Sequence, residues 1–273
     1  MNRVSWTSKL EREWKDKVIK ELKARKVEIL VNYLPVGSQK ATEFWAEICL
    51  ETGISFVNCI PVFIASDPAW EQRFIDAGIP IVGDDMRSQF GASIVSQMLQ
   101  ELAFERGHHV KAHIQRNVGG NTDFLNMEDK NRLASKKISK ENVIRAQNEI
   151  RGISTDDSFL HAGPSEYIHF YGDNKVANFR LELEGFGGSP VLFDAQLSVQ
   201  DSPNSGGVVI DAIRYLKVAR ELGVVGALRG PSAFTQKTPP EQMMFSDAIY
   251  ECTELANRRL TKSTSSQMNK IKA

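Results

Sequence analysis

Between residues 27 and 106 the chain alternates short apolar runs with stretches of helical period, and this alternation constrains the fold more than any other feature. Residues 27–34, 55–60 and 79–82 are apolar runs of strand length with little polar alternation. Strands covered on both faces of a parallel sheet read this way. Helical spacing fills the intervals. Residues 8–26 carry Leu10, Trp14, Val18 and Leu22 at i, i+4 spacing. A second helix is expected to run to Leu50, capped by Ser38 and stopped by Gly53, with further helices over 68–78 and 88–106. Strand–helix units of this kind predict an α/β fold with a doubly wound parallel sheet. Each strand ends in polar or Gly-rich residues: 32–38, Asn58 and 83–85. Ligands in open α/β sheets bind beyond the carboxyl ends of the strands, so these loops are the first candidates for a site.

The texture changes after Gly107. Residues 110–115 read as a strand, 117–123 as a polar, glycine-paired loop, and 151–165 as loop. Strict alternation over 177–185 and 191–200 predicts two half-buried antiparallel strands joined by a hairpin at 185–190. Residues 201–207 read as a loop launching a helix over 208–222. Pro239 and Pro240 are expected to open a last helical region reaching Arg259, and the Ser/Lys-rich end reads as a disordered tail. The expected organisation is an α/β unit over 1–106, a sheet-rich insert over 107–200, helices returning to the first unit over 201–260, and a tail over 261–273.

Charge narrows the function. The 273 residues hold 34 Lys and Arg against 34 Asp and Glu, a net charge of zero, whereas a dedicated nucleic-acid binder carries a basic excess. No apolar run reaches the ~18 residues of a membrane span, and the charged N-terminus lacks the apolar segment of a secretory signal, so a cytoplasmic protein is expected. Cys49, Cys59 and Cys252 are too few and too scattered for a disulfide framework or a zinc cluster. His109 and His113 stand at i, i+4 but in a strand-like context without an HExxH pattern, so no metal site is expected.

Several constellations can carry chemistry. Lys136 and Lys140 lie one helical turn apart, where paired ammonium groups can hold a phosphate or stabilise an oxyanion. Such a run is equally the solvated face of a helix. The glycines in 117–123 let backbone approach a ligand, with Asn121 and Asp123 beside them, or simply make a tight turn. Residues 201–207 have the same two readings, an anion-binding helix start or a capped turn. Lys175 and Lys237 are isolated loop lysines.

Taken together, these segments resemble a known family. NYLPVGS (32–38), FVNCIPVFIAS (56–66), GDD (83–85), GGNTDFLNM (119–127), SKKISK (135–140), DSPNSGGVVIDA (201–212) and GPSAFTQKTPP (230–240) are similar, in order, to the myo-inositol-1-phosphate synthases, also called inositol-3-phosphate synthases, of the archaeal and bacterial branch. The resemblance implies an incomplete Rossmann-like doubly wound sheet with an inserted α+β catalytic and oligomerisation domain. It implies an NAD-dependent isomerase that converts glucose 6-phosphate to 1D-myo-inositol 3-phosphate. The steps would be oxidation at C5, enolisation, aldol closure onto C1 and reduction of the C5 ketone. By motif match Lys136, Lys140, Lys175 and Lys237 are the active-site lysines, and Asn121 and Asp123 shape the sugar site. Asn32, Gly37, Ser38, Asp84, Asp85, Asp201 and Ser202 match positions near the dinucleotide. A homotetramer with no nucleic-acid or membrane partner is implied as well. Two departures stand out. No Gly-rich turn precedes Val27, which reads as a family member without its pyrophosphate-cradling opening, and Arg87 stands where Lys is usual. The alternatives are a truncated, non-catalytic structural relative and a cyclase making another carbocycle from a different sugar phosphate.

Overall fold

The structure, a computed structural model, describes residues 8–126 and 160–271. Four parallel strands form the first sheet: β1 (Ile29–Asn32), β2 (Ser55–Asn58), β3 (Pro80–Val82) and β8 (Gly226–Ala227), in the order β1-β2-β3-β8. Helix α1 (Ser8–Ala24) precedes β1, α2 (Gln39–Thr52) and α3 (Pro68–Asp76) connect the first three strands, and α4 (Ala92–Glu105) follows β3. Successive strand residues point to opposite faces. Phe56 and Ile81 join a core with Ala46 and Phe74, whereas Val57 and Val82 meet Ala212, Leu216 and Leu255. Both faces are therefore covered by helices, as the apolar runs require.

The second sheet has the order β5-β4-β6-β7, from β4 (His109–Gly119), β5 (Leu160–Tyr167), β6 (Asn174–Glu184) and β7 (Pro190–Gln200). β6 pairs antiparallel with both β4 and β7, and β4 pairs parallel with β5. A short helix, α5 (Thr122–Asn126), follows β4. The chain then returns through α6 (Asp201–Leu222), α7 (Arg229–Thr235) and α8 (Phe245–Ile271), with α6 and α8 packing against the first sheet's core.

Several local expectations are corrected. Ser38 makes no side-chain cap; its backbone is not extended, and its carbonyl instead accepts from the Thr42 hydroxyl at 3.0 Å. Gly53 does stop α2, in the left-handed region at φ 71°. β4 continues to Gly119, taking in the first half of the expected 117–123 loop, and residues 160–165 are strand rather than loop. Helix α6 begins at Asp201, so the expected loop 201–207 forms its first two turns. Pro203 is tolerated there because the first-turn N–H it lacks would have no helical partner. α8 starts at Phe245, beyond Pro239 and Pro240, and its backbone is helical to Ile271 through the expected disordered tail, which holds neither Gly nor Pro.

Candidate active site

The two sheets meet around a cavity of about 390 Å³. One wall is made by the loops after β1, β2 and β3, through Tyr33, Ile60 and Asp85 among others. The other comes from β4, α5, β6 and the start of α6, through Asn117, Asn121, Lys175 and Asp201. Lys237, beyond α7, lies between them.

Hydrogen bonds at the carboxyl ends of the strands explain why these loops hold their places. Asn32 ends β1 and donates its amide to Asn58 Oδ1 at 2.8 Å and to Thr42 Oγ1 at 3.1 Å. Asn58 ends β2 and donates to Asp84 Oδ1 at 2.7 Å. Asp84, just past β3, also accepts from the amides of Ile64, Ala65 and Ser66 and from the Ser66 hydroxyl. This buried row ties three loops together. Burial pushes the Asp84 carboxyl up to about 6, against the pull of these donors toward the charged form. Asn32 and Asp84 are therefore occupied by the scaffold and do not line the cavity, and neither do Gly37 and Ser38.

Asp85 does reach it. Its backbone sits at φ 61°, a conformation uncommon for a residue with a side chain and typical of constrained functional loops. Backbone bonds hold this turn against residues 237–238: Lys237 N donates to Asp85 O at 2.7 Å, and Asp84 and Thr238 exchange bonds at 2.8 and 3.0 Å. That pairing brings the Lys237 ammonium to 3.0 Å from Asp85 Oδ1.

A second lysine–carboxylate pair faces the cavity from the other sheet. Lys175, near the start of β6, contacts Asp201 Oδ1 at the start of α6. Asn121 donates to Asp201 Oδ2 at 3.2 Å and turns its own Oδ1 to the amides of Asp123 and Phe124, capping α5. Asp173 binds this group together: it accepts from Ser202 N at 3.0 Å and Ser202 Oγ at 2.6 Å, and its carbonyl accepts from Asp201 N. Sequence reading passed over Asp173, although its place two residues before Lys175 in a glycine turn was a usable signal.

The paired glycines of this loop serve packing rather than a ligand's approach. A Cβ on Gly120 would meet the backbone of Ile168 and Gly172 at 2.4 and 2.5 Å, and one on Gly119 would strike the Phe124 ring at 2.6 Å. The close approach is of the chain to itself, and it sets the turn carrying Asp173 against Asn121.

Of the residues expected from sequence, Asn121, Asp123, Lys175, Lys237, Asp85, Asp201 and Ser202 line one cavity. Lys136 and Lys140 lie outside the described residues. Arg87 is buried away from the cavity and donates to Gln97 Oε1 at 2.6 Å, and burial pulls its guanidinium down to about 10. Tyr33 joins the site unforeseen; burial raises its hydroxyl to about 12, so it stays protonated as a donor. Among the described residues there is no group of three or more His, Cys, Asp and Glu able to hold a metal ion, and no helix long and apolar enough to cross a membrane.

A family model described as myo-inositol-1-phosphate synthase matches residues 91–202, the stretch holding α4, the second sheet and the start of α6. An inositol-3-phosphate synthase of Mycobacterium tuberculosis is 48% identical over 226 residues. The chain belongs to the myo-inositol-1-phosphate synthase family. The aligned region is 83% of this chain and 61% of the mycobacterial protein, so the chain spans about three fifths of that relative's length. Among solved structures, a myo-inositol-1-phosphate synthase-related protein from Thermotoga maritima superposes with a TM-score of 0.76 at 26% identity, covering 90% of this chain and 70% of that one. Inositol-3-phosphate synthase from Caenorhabditis elegans, at 15% identity and TM-score 0.72, covers 93% of this chain and 58% of its own, and shares the fold. The Rossmann-like α/β architecture is thus that of the synthase family.

Proposed function

We propose that the cavity is the sugar-phosphate site of an inositol-3-phosphate synthase, an isomerase taking glucose 6-phosphate to 1D-myo-inositol 3-phosphate with NAD as resident cofactor. One observation carries the reading: Lys175 and Lys237, each steadied by a carboxylate, converge with Asn121 on one cavity from separate parts of the fold. Cyclisation of a sugar phosphate develops negative charge on sugar oxygens, and fixed cations in a partly enclosed site stabilise that charge best.

The donor set fits a nicotinamide nucleotide. The cavity wall formed by the loops after β1, β2 and β3 is where nucleotides sit on such sheets, and the carboxylates of Asp85 and Asp201 suit hydroxyl and amide donors. Bound NAD would supply reversible oxidation at one sugar carbon. Lys237 Nζ, 3.0 Å from Asp85 Oδ1, is spaced to hold a proton between the carboxylate and a sugar oxygen. Lys175, held by Asp201, would neutralise the phosphate or a developing alkoxide. Asn121 and Asp123 would orient sugar hydroxyls, and Lys136 and Lys140 would add two further cations. In this reading the protein works in the cytoplasm, consistent with three buried free cysteines, and assembles as a homotetramer through the second sheet, whose outer strand exposes Leu192 and Phe193.

The test is incubation of the protein with glucose 6-phosphate and NAD, followed by phosphorus NMR and by calorimetry of sugar-phosphate binding. Inositol phosphate is the expected product. Absence of both product and binding overturns the proposal, and turnover of a different hexose phosphate alone would reassign it to another carbocycle.

A further inference from the structure

A cation taken out of water is costly unless an anion compensates it, and Arg87 is a cation in the interior. Its side chain is 2% exposed, yet it keeps its charge near pH 7. Its partner on α4 is neutral: Arg87 Nη1 donates to Gln97 Oε1 at 2.6 Å. Gln97, itself 1% exposed, is held in turn by donating to Met243 O at 3.2 Å. Arg87 Nε is buried without a hydrogen-bond partner.

The compensating charge comes from Asp85, whose carboxylate favours the charged guanidinium against burial. Backbone pairing explains why both stand beside Lys237. Residues 85–87 run antiparallel to 235–237: Lys237 N donates to Asp85 O at 2.7 Å, Arg87 N donates to Thr235 O at 2.9 Å, and Met86 bridges to Gln236 between them. Lys237 is thus directly opposite Asp85, and Arg87 is two residues along the same strand of the pairing. Asp85 and Lys237 line the cavity, with Nζ 3.0 Å from Oδ1, whereas Arg87 does not line it. One carboxylate therefore serves two cations, one able to reach a ligand and one held in the interior.

That arrangement matters when a ligand arrives. A sugar oxygen that draws Lys237 Nζ toward it takes a cation from a carboxylate that is itself only 4% exposed. A carboxylate so buried and left uncompensated would hold Lys237 back or take its proton. A guanidinium does not give up its proton near pH 7, and Gln97 keeps this one in place, so its charge stays with Asp85.

We propose that Arg87 is a positioning residue: anchored by Gln97, it keeps the Asp85 carboxylate compensated while Lys237 turns to the substrate. The inference rests on reading the cavity as a sugar-phosphate site in which Lys237 serves a sugar oxygen.

The experiment uses the full chain and the variants Arg87→Met and Arg87→Lys, each made with Asp85 present and with Asp85→Asn. Methionine keeps length without charge, and lysine keeps charge without the planar fork. With Asp85 present, Arg87→Met should lower kcat on glucose 6-phosphate about tenfold, while calorimetric affinity for the sugar phosphate stays within about twofold. Arg87→Lys should recover kcat to within about threefold of wild type. In the Asp85→Asn background Arg87→Met should change kcat by less than about twofold, because the group it acts through is gone. Urea unfolding reads the same coupling without turnover: Arg87→Met should lower the midpoint more with Asp85 present than with Asp85→Asn, where the buried cation has already lost its anion. Equal effects in the two backgrounds overturn the proposal, and so does an Arg87→Lys variant no better than Arg87→Met. Should Arg87→Met fail to fold, Gln97→Leu, which releases the guanidinium from α4, carries the same comparison with and without Asp85. Wild-type protein that neither binds nor turns over a sugar phosphate would instead sink the site reading, while the urea midpoints still decide whether Arg87 acts through Asp85.

Discussion

The two sheets have four strands each and opposite relations to solvent. In the parallel sheet every residue of β2 is buried, because the crossovers lay α2 and α3 on one face and α6 on the other. In the second sheet, among the described residues, a helix closes only the face beneath α4, and β7 is exposed from Pro190 through Asp194. The first sheet is a core that presents its loops, whereas the second is a platform that lends one end to the site and, among the described residues, leaves its outer strand exposed. The cavity needs both.

The largest expected effect tests the difference in burial. Phe56 is fully buried, so Phe56→Ala should cost about 3–5 kcal/mol. Phe193 is 40% exposed on the outer strand, and Phe193→Ala should change the stability of the monomer by no more than about 0.5 kcal/mol. Urea unfolding of the two variants measures this, and similar losses would break the comparison. Next come the paired lysines. Lys175→Ala and Lys237→Ala should each lower turnover by about 10²–10³-fold, the range for removing one group that stabilises developing charge. Thermal melting checks that the fold survives. A strong loss at only one of them would assign the chemistry to one side of the seam.

The smallest effect concerns pH and belongs to the second sheet. His113 titrates at about 4 when folded, against 6.5 for an ordinary histidine. Between those values the unfolded chain binds a proton that the folded chain refuses, so stability falls as pH drops from 6.5 toward 4. The loss amounts to roughly 3 kcal/mol at most. Asp84 works in the opposite sense in the first sheet. Its folded carboxyl, at about 6, is protonated more readily than the ordinary 3.8, so its contribution is lost as pH rises through that window. The whole protein therefore shows a muted slope, and the comparison of wild type with His113→Gln isolates the histidine. His113→Gln should lose less stability than wild type between pH 6.5 and 4.5 in urea unfolding. Parallel curves would remove His113 from the account.

Much of the fold was legible because its signals are local. The apolar runs at 55–60 and 79–82 became buried strands within one or two residues, and the alternation over 177–185 and 191–200 became β6 and β7. Helix starts were less legible, since Ser38 and 201–207 carry capping residues whose use depends on the backbone leading into them. In the candidate site, the expected set divides by hydrogen bonding. Asn32 and Asp84 carry the right groups at the right ends of strands, but their capacity is taken up by Asn58, Thr42 and the amides of 64–66. Their neighbour Asp85, one residue on, faces the cavity instead.

By itself the sequence determined the alternation that makes a parallel sheet, the antiparallel pair beside it, and the supply of lysines and carboxylates, all properties of residues within a turn or two of one another. Tertiary structure alone decided which of those groups meet. Lys237 finds Asp85 across 152 residues, and Asp173 joins Ser202 and Asn121 only because β6, α5 and α6 start at one seam. The physical reason is range. Periodicity and turn chemistry act over a few residues, whereas the partner of a buried charge depends on where distant strands stop, and that is settled only when both sheets have closed.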